Sequence, residues 1–231
     1  MAELITIEQN ILRKNADVAA DNRAEIERRG AFAVGLVSAP GSGKTSLLER
    51  TLKALQGRLR AAVIEGDVQT DRDARRIAAL DVPVVQIVTN GTCHLEARMV
   101  QGALQRLPGD VDVLFIENVG NLVCPASYDL GEHRRVVLTS TPEGDDKPLK
   151  YPAMFRTADA LIVNKVDLLP YVAYDVEQAK AFALQVRPGL VVFETSCVSG
   201  DGIDRWIQWL LDERAIHLRA CPTQPASAST T

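Results

Sequence analysis

No apolar run in the 231 residues approaches the ~18–20 consecutive positions that a helical membrane span needs. The opening stretch MAELITIEQN has an acidic residue where a secretory signal carries basic ones, and no apolar core follows it. A cytoplasmic protein is expected. A basic excess is also missing. The formal net charge is −4, which gives no reason to expect nucleic acid or an anionic membrane as the main partner. Cysteine is scarce, with four in the chain. In a reducing compartment those four read as metal ligands or packed thiols rather than as a disulfide framework. No internal repeat is visible. What the chain does have is 46% hydrophobic residues, enough to bury the core of one α/β domain with an appended helix.

Residues 6–29 have the pattern of a charged amphipathic helix. Ile7, Ile11, Val18 and Ile26 form a thin apolar stripe, and Gly30 is the stop. Such a helix either lies solvated on the domain or serves as a partner-binding arm. Beyond Gly30, short β-branched runs recur: AFAVGLVS, AAVIEGD, VPVVQIVT, VDVLFIEN, RRVVLTST, ADALIVNK and GLVVFETS. Amphipathic segments such as SLLERTLKALQ, HLEARMVQGALQRL and DVEQAKAFALQV separate most of them. This alternation predicts an α/β fold, with a mostly parallel central sheet, helices on both faces and an added N-terminal helix. Ligands of such sheets bind at the carboxyl ends of the strands. The expected division is an arm over 1–30, a nucleotide-binding domain over 31–215 and a disordered tail over 216–231, whose Cys221 has no role.

The strongest signal is LVSAPGSGKTSLLER. A strand ending at Ser38, a Gly-rich turn and a helix starting near Lys44 are the context of a phosphate-binding loop, as in P-loop NTPases. Gly41 and Gly43 let backbone N–H groups turn inward around phosphate oxygens, and the helix N-terminus adds its positive dipole end. Lys44 reaches the β- and γ-phosphates, and the Thr45 hydroxyl is offered to Mg²⁺. The usual pattern opens with glycine, whereas this chain has Ser38.

Asn164, Lys165 and Asp167 form an N-K-x-D element in LIVNKVDLL. A carboxylate accepts two hydrogen bonds from guanine N1–H and N2–H₂, whereas adenine would leave it facing a lone pair. GTP is therefore the expected nucleotide, with the Lys165 stem covering the base. Ser196 and Cys197, in ETSCVSGDG, lie on a loop suited to touch the base edge. Asp67 in VIEGDVQTD and Glu117 in VLFIENVGN close two strands as acids, and Gly120 follows the second. Both are candidates for water-mediated Mg²⁺ contacts, and Asp67 also for orienting the attacking water. Lys147 and Lys150, in the Pro-containing loop EGDDKPLKYP, either approach phosphate across a dimer interface or are solvated loop lysines.

Cys93 and His94 are neighbours in NGTCHLEARMV, and Cys124 lies just past Gly120. Cys93 and His94 follow a strand and begin a helix, with Asn90, Gly91 and Thr92 as turn and cap, and in that irregular turn they need not diverge as they would inside the helix. A helix N-terminus would favour the thiolate. Two thiols and an imidazole suit Ni²⁺ or Zn²⁺ and not a hard cation. They leave tetrahedral coordination incomplete, and two copies about a two-fold axis would fill it. From the residues alone, metal binding and simple thiol packing both stand.

In order and content, SAPGSGKTS, EGDVQTD, NGTCHLEA, FIENVGNLVCPASYDLGE, EGDDKPLKYP and IVNKVDLL resemble the HypB family. These are nickel-incorporation GTPases of the SIMIBI class that help mature [NiFe]-hydrogenase. The resemblance spans about residues 30–214 and implies a slow GTPase acting as a metallochaperone. It assigns Gly41, Ser42, Gly43, Lys44, Thr45 and Ser46 to the phosphate loop. Asn164, Lys165 and Asp167 fall on guanine recognition. Cys93, His94 and Cys124 fall on a nickel or zinc site at a nucleotide-linked homodimer interface. The implied partners are a hydrogenase maturation protein or the hydrogenase large subunit. Several members carry an N-terminal Cys-rich or His-rich nickel motif, but residues 1–30 contain neither Cys nor His. The rival readings are a related nickel GTPase serving urease or a cobalamin enzyme, a GTP-binding switch with structural thiols, and an ATPase of the same fold.

Overall fold

The computed structural model describes residues 7–69 and 72–220. The chain opens with α1 (Ile7–Arg28), then β1 (Phe32–Ser38), α2 (Lys44–Leu55), β2 (Ala61–Asp67), α3 (Arg72–Ala78) and β3 (Val84–Val88). It continues through α4 (Ala97–Leu104), β4 (Val113–Glu117), β5 (Arg134–Ser140), α5 (Lys147–Lys150), α6 (Pro152–Arg156) and β6 (Ala160–Asn164). It closes with α7 (Val176–Val186), β7 (Val191–Thr195) and α8 (Ile203–Ala220). Among the described residues, no helix is long and apolar enough to cross a membrane.

The strands form one seven-stranded sheet in the order β3-β2-β4-β1-β5-β6-β7, and every neighbouring pair is parallel. Parallel strands need helical crossovers, and those helices cover both faces. Every residue of the central β1 is accordingly buried. Its side chains alternate between two cores. Phe32, Val34 and Leu36 pack with Leu48 and Leu52 of α2 and with Trp206 and Leu210 of α8. On the other face Ala33 joins Ala62, Ile64, Val100 and Ile26. From β1 the chain first builds outward through β2, with β4 returning between them, and then through β5 to β7 on the other side. The crevice beyond Ser38 is therefore the switch point at which such sheets bind ligands.

Several boundaries differ from expectation. α1 docks through Asn15, Ala19, Asn22 and Ile26, while Ile11 is 47% exposed. The buried face is thus half amide, and an apolar count could not find it. α4 starts at Ala97, so Cys93 and His94 lie in the turn ahead of it rather than in its first turn. The EGDDKPLKYP segment is not all loop: α5 occupies Lys147–Lys150 and α6 begins at its last residue, Pro152. α8 runs to Ala220, so residues 216–220 are part of the folded chain rather than of a tail. Residues 221–231, with Cys221, lie outside the described residues.

Candidate nucleotide pocket and metal centre

The chain leaves β1 at Ser38, turns through Gly41 (φ 78°) and Gly43 (φ 97°), and enters α2 at Lys44. Gly43 is required twice over. Its φ is left-handed, and a Cβ there would stand 2.5 Å from Asn164 Nδ2. The loop borders a cleft of about 540 Å³ that also takes in Lys44, Thr45, Ser46, Asp67, Glu117, Gly120 and Lys165. Gly120 lies against the loop, where a Cβ would approach Pro40 Cα to 3.1 Å. Lys44 Nζ donates to Ser38 Oγ at 2.9 Å, so the serine replacing the usual glycine serves as partner to the loop lysine. Thr45 Oγ1 donates to Glu117 Oε1 at 3.1 Å. Burial raises Glu117 to about 6, with Lys44 opposing the shift.

Sequence reasoning missed four polar residues of this cleft: Glu65, Asp73, Arg76 and Asn118. Glu65 faces it from β2, in register with Glu117 of β4. Burial raises Glu65 to about 8, reinforced by the charges of Glu117 and Asp67. Asp73 and Arg76 come from α3, and Arg76 bonds Glu49, Asp73 and Ser46 Oγ. A second acid two positions before Asp67, across Gly66, was the sign of Glu65 in the sequence. The donor set fits a hard divalent cation. It offers carboxylates and a hydroxyl, and Glu65 Oε2 and Glu117 Oε2 are buried without hydrogen-bond partners.

The N-K-x-D element closes over the same loop. Asn164 Nδ2 donates to Ser42 O at 2.9 Å, and its Oδ1 accepts from Thr195 Oγ1 at 3.1 Å. Lys165 has φ 61°, and its Nζ reaches Gly41 O at 2.6 Å. Ser196 Oγ donates to Asp167 Oδ1 at 2.5 Å and so orients that carboxylate. Cys197 Sγ lies 3.6 Å from Asn164 Oδ1, and burial pushes its thiol up. Glu143, another residue the sequence did not flag, accepts from Ser42 Oγ and Ser140 Oγ, each at 2.6 Å. Lys147 Nζ stands 4.0 Å from Glu143 and over the Tyr151 ring. Lys150 pairs with Asp146 at 2.7 Å, and neither lysine lines the cleft.

The thiols and the imidazole come together. Cys93 Sγ is 3.1 Å from Cys124 Sγ and 3.9 Å from His94 Nδ1. One ligand atom from each of the three lies within 4.8 Å of the others. Two thiolates on one tetrahedral zinc sit roughly 3.8 Å apart, so the sulfurs need to part only slightly. Burial holds His94 below its ordinary value, in the neutral form that binds metal. Its ring lies on Tyr128 with centroids 4.1 Å apart. Its Nε2 is buried, and Glu96 at 4.0 Å is beyond hydrogen-bond reach. The expected thiolate preference of Cys93 is absent. It lies before the helix rather than in it, and hydrogen bonding to Cys124, then burial, push its thiol up.

Two side chains tie this centre to the cleft. Asn118, next to Glu117, accepts from Leu95 N at 3.0 Å and from Val119 N at 2.9 Å. Asn121 Nδ2 donates to Cys93 O at 3.2 Å. Elsewhere Glu27, His133 and His217 also converge. There Ala33 N donates to His133 Nδ1 at 2.8 Å, which leaves the ring proton on Nε2. That nitrogen is then a donor and not a metal ligand.

A glycine-rich turn leaving the central strand of a parallel sheet, closed by an Asn-Lys-x-Asp strand end, defines a P-loop nucleotide-binding protein. Residues 32–194 match the family model described as CobW/HypB/UreG, nucleotide-binding domain. The chain belongs to this family, on its HypB branch. The hydrogenase maturation factor HypB of Azotobacter vinelandii is 53% identical over 220 residues, 95% of this chain and 73% of that protein. The crystal structure of HypB from Helicobacter pylori in complex with nickel is 39% identical, with a TM-score of 0.85, covering 88% of this chain and 96% of that one. The hydrogenase maturation factor HypB from Archaeoglobus fulgidus, also 39% identical, gives 0.83 over 87% and 99%.

Proposed function

We propose that this protein is a GTP-hydrolysing metallochaperone that delivers or regulates nickel during [NiFe]-hydrogenase maturation in the cytoplasm. The observation that carries the reading is a continuous connection. Thr45 of the phosphate loop bonds Glu117, and the strand end running from Glu117 leads through Asn118 and Asn121 to Cys93 and Cys124. Gly41, Ser42, Gly43, Lys44, Thr45 and Ser46 cradle the phosphates, and Asn164, Lys165 and Asp167 select guanine, with Ser196 and Cys197 supporting them. Thr45, Asp67 and Glu117 would hold Mg²⁺, which when bound neutralises charge on the β- and γ-phosphates. Asp67 orients the hydrolytic water. Cys93, His94 and Cys124 take the cargo ion, Ni²⁺ or Zn²⁺.

Exchange of GTP for GDP changes what Glu117 touches, and the strand end shifts Cys124 relative to Cys93 and His94. Three ligands leave a position open. Cys93 and Val123 are exposed, which supports completion of the site by a second copy. In that homodimer Lys147 or Lys150 approaches the partner's nucleotide. A hydrogenase maturation partner or the hydrogenase large subunit receives the metal. The test is linkage. Nucleotide and metal must change each other's affinity by the same factor. We expect nickel affinity to differ between the GDP form and a non-hydrolysable GTP-analogue form. Equal affinities would remove the coupling.

A further inference from the structure

α1 meets the domain through side chains that neither an apolar stripe nor nucleotide chemistry requires. Asn15 and Asn22 are 9% and 1% exposed and lie on one face, two helical turns apart. A buried amide has to find partners. Asn15 finds them for both its oxygen and its nitrogen, and Asn22 for its nitrogen while its Oδ1 has none, on the two segments that carry Cys93, His94 and Cys124. Ala97 N donates to Asn15 Oδ1 at 2.8 Å, and Asn15 Nδ2 donates to Asp129 O at 2.7 Å. Asn22 Nδ2 donates to Ala97 O at 2.8 Å and to Leu130 O at 3.1 Å. Ala97 opens α4 directly after the Cys93–His94 turn, and Asp129 and Leu130 follow Cys124 on its segment. Each amide thus spans from one metal-bearing segment to the other.

Further contacts hold the second segment flush on α1. Arg23 Nη2 donates to both carboxylate oxygens of Asp129, each at 2.9 Å. Gly131 has φ 95°, and a Cβ there would come within 2.8 Å of Ala19 O. None of these α1 residues lines the nucleotide cleft.

We propose that α1 is the positioning element of the metal centre. Asn15 and Asn22 set the distance between the Cys93–His94 turn and the Cys124 segment, and through it the metal affinity, without acting on nucleotide. Ligands bind an ion well only when their supports hold them close to its geometry. The inference rests on Cys93, His94 and Cys124 being the ligands.

The experiment titrates the full chain with Co²⁺, following thiolate charge-transfer absorption, and with Zn²⁺ by competition. A GTP analogue is titrated on the same samples. The variants are Asn15→Ala, Asn22→Ala, Asn15→Asp and the Cys93→Ser, Cys124→Ser pair. Asn15→Asp keeps the acceptor for Ala97 N, loses the donor to Asp129 O and sets a carboxylate against that carbonyl. It decides the matter if the alanine variants do not fold. We expect the Asn15 variants to lose metal affinity roughly tenfold or more and to alter the Co²⁺ spectrum. Nucleotide affinity measured without metal should stay within about twofold, since neither amide lines the cleft. Unchanged metal affinity, or a parallel loss of metal and nucleotide, overturns the proposal. Wild-type metal binding by the double serine variant overturns the ligand assignment instead.

Discussion

His133 is held neutral by its surroundings. Its side chain is 4% exposed, Ala33 N donates to its Nδ1, and Phe32 stacks on it with centroids 5.5 Å apart. Burial lowers it to about 3, helped by the charges of His217, Arg23 and Arg134, while Glu27 lies 3.6 Å from Nε2. The unfolded chain protonates this imidazole near its ordinary value of 6.5, and the folded chain does not. His133 therefore stabilises the fold fully above that value, and the contribution drains away as pH falls from 6.5 toward 3. One proton contributes up to ~1.4 kcal/mol per pH unit. We expect urea denaturation between neutral and mildly acidic pH to show His133→Gln less stable near neutrality and with a shallower acid limb. Parallel pH dependences of variant and wild type would contradict this. Nothing about a single histidine before RRVV marked it for this role. Its environment comes from α1, α8 and β1 together.

At the scale of elements, the strands and the two nucleotide motifs were legible, and for one reason. β1, β4 and β6 are buried on both faces and so read as unbroken apolar runs, and loops at their carboxyl ends need particular residues at fixed offsets. α3 was missed because Ala74 and Ile77 are its only buried positions. The docking face of α1 was misread because two of its contacts are amides seeking backbone partners. Asn118 belongs to the same class. It looks like a spacer in FIENVGN, yet its Oδ1 accepts two backbone N–H groups, one beside His94 and one on the strand end. Removing it leaves buried donors unpaired, at about 1–3 kcal/mol. We expect Asn118→Ala to retain binding of nickel and of nucleotide while shrinking the factor by which either changes the other. Isothermal titrations of each ligand with and without its companion measure that factor. An undiminished factor would exclude Asn118 as the link.

At the scale of the whole molecule, the sheet divides the work. Strands β2 and β4, on one side of the phosphate loop, end in Asp67 and Glu117 and lead toward the thiols. Strands β6 and β7, on the other side, end at the loops that carry Asn164 to Asp167 and Ser196 with Cys197. The metal centre is at the surface, and in one chain Lys147 and Lys150 stand away from the cleft. Any role for either lysine in hydrolysis would thus belong to the proposed homodimer. Lys147→Ala chains mixed with chains defective in Lys44 should regain part of the GTPase rate if the contact is made in trans. Rates no higher than the average of the two parents would exclude a trans contact by Lys147.

Ser38 adds a consequence of its own. Its hydroxyl already occupies Lys44 Nζ, so the loop lysine is never a bare buried cation. An ammonium carries three donors, so Ser38 holds one and leaves two for a phosphate in the cleft. The tether fixes the direction of the remaining two, and the lysine side chain is ordered before any ligand arrives. Part of the conformational entropy that a free lysine loses on binding is then already lost in folding.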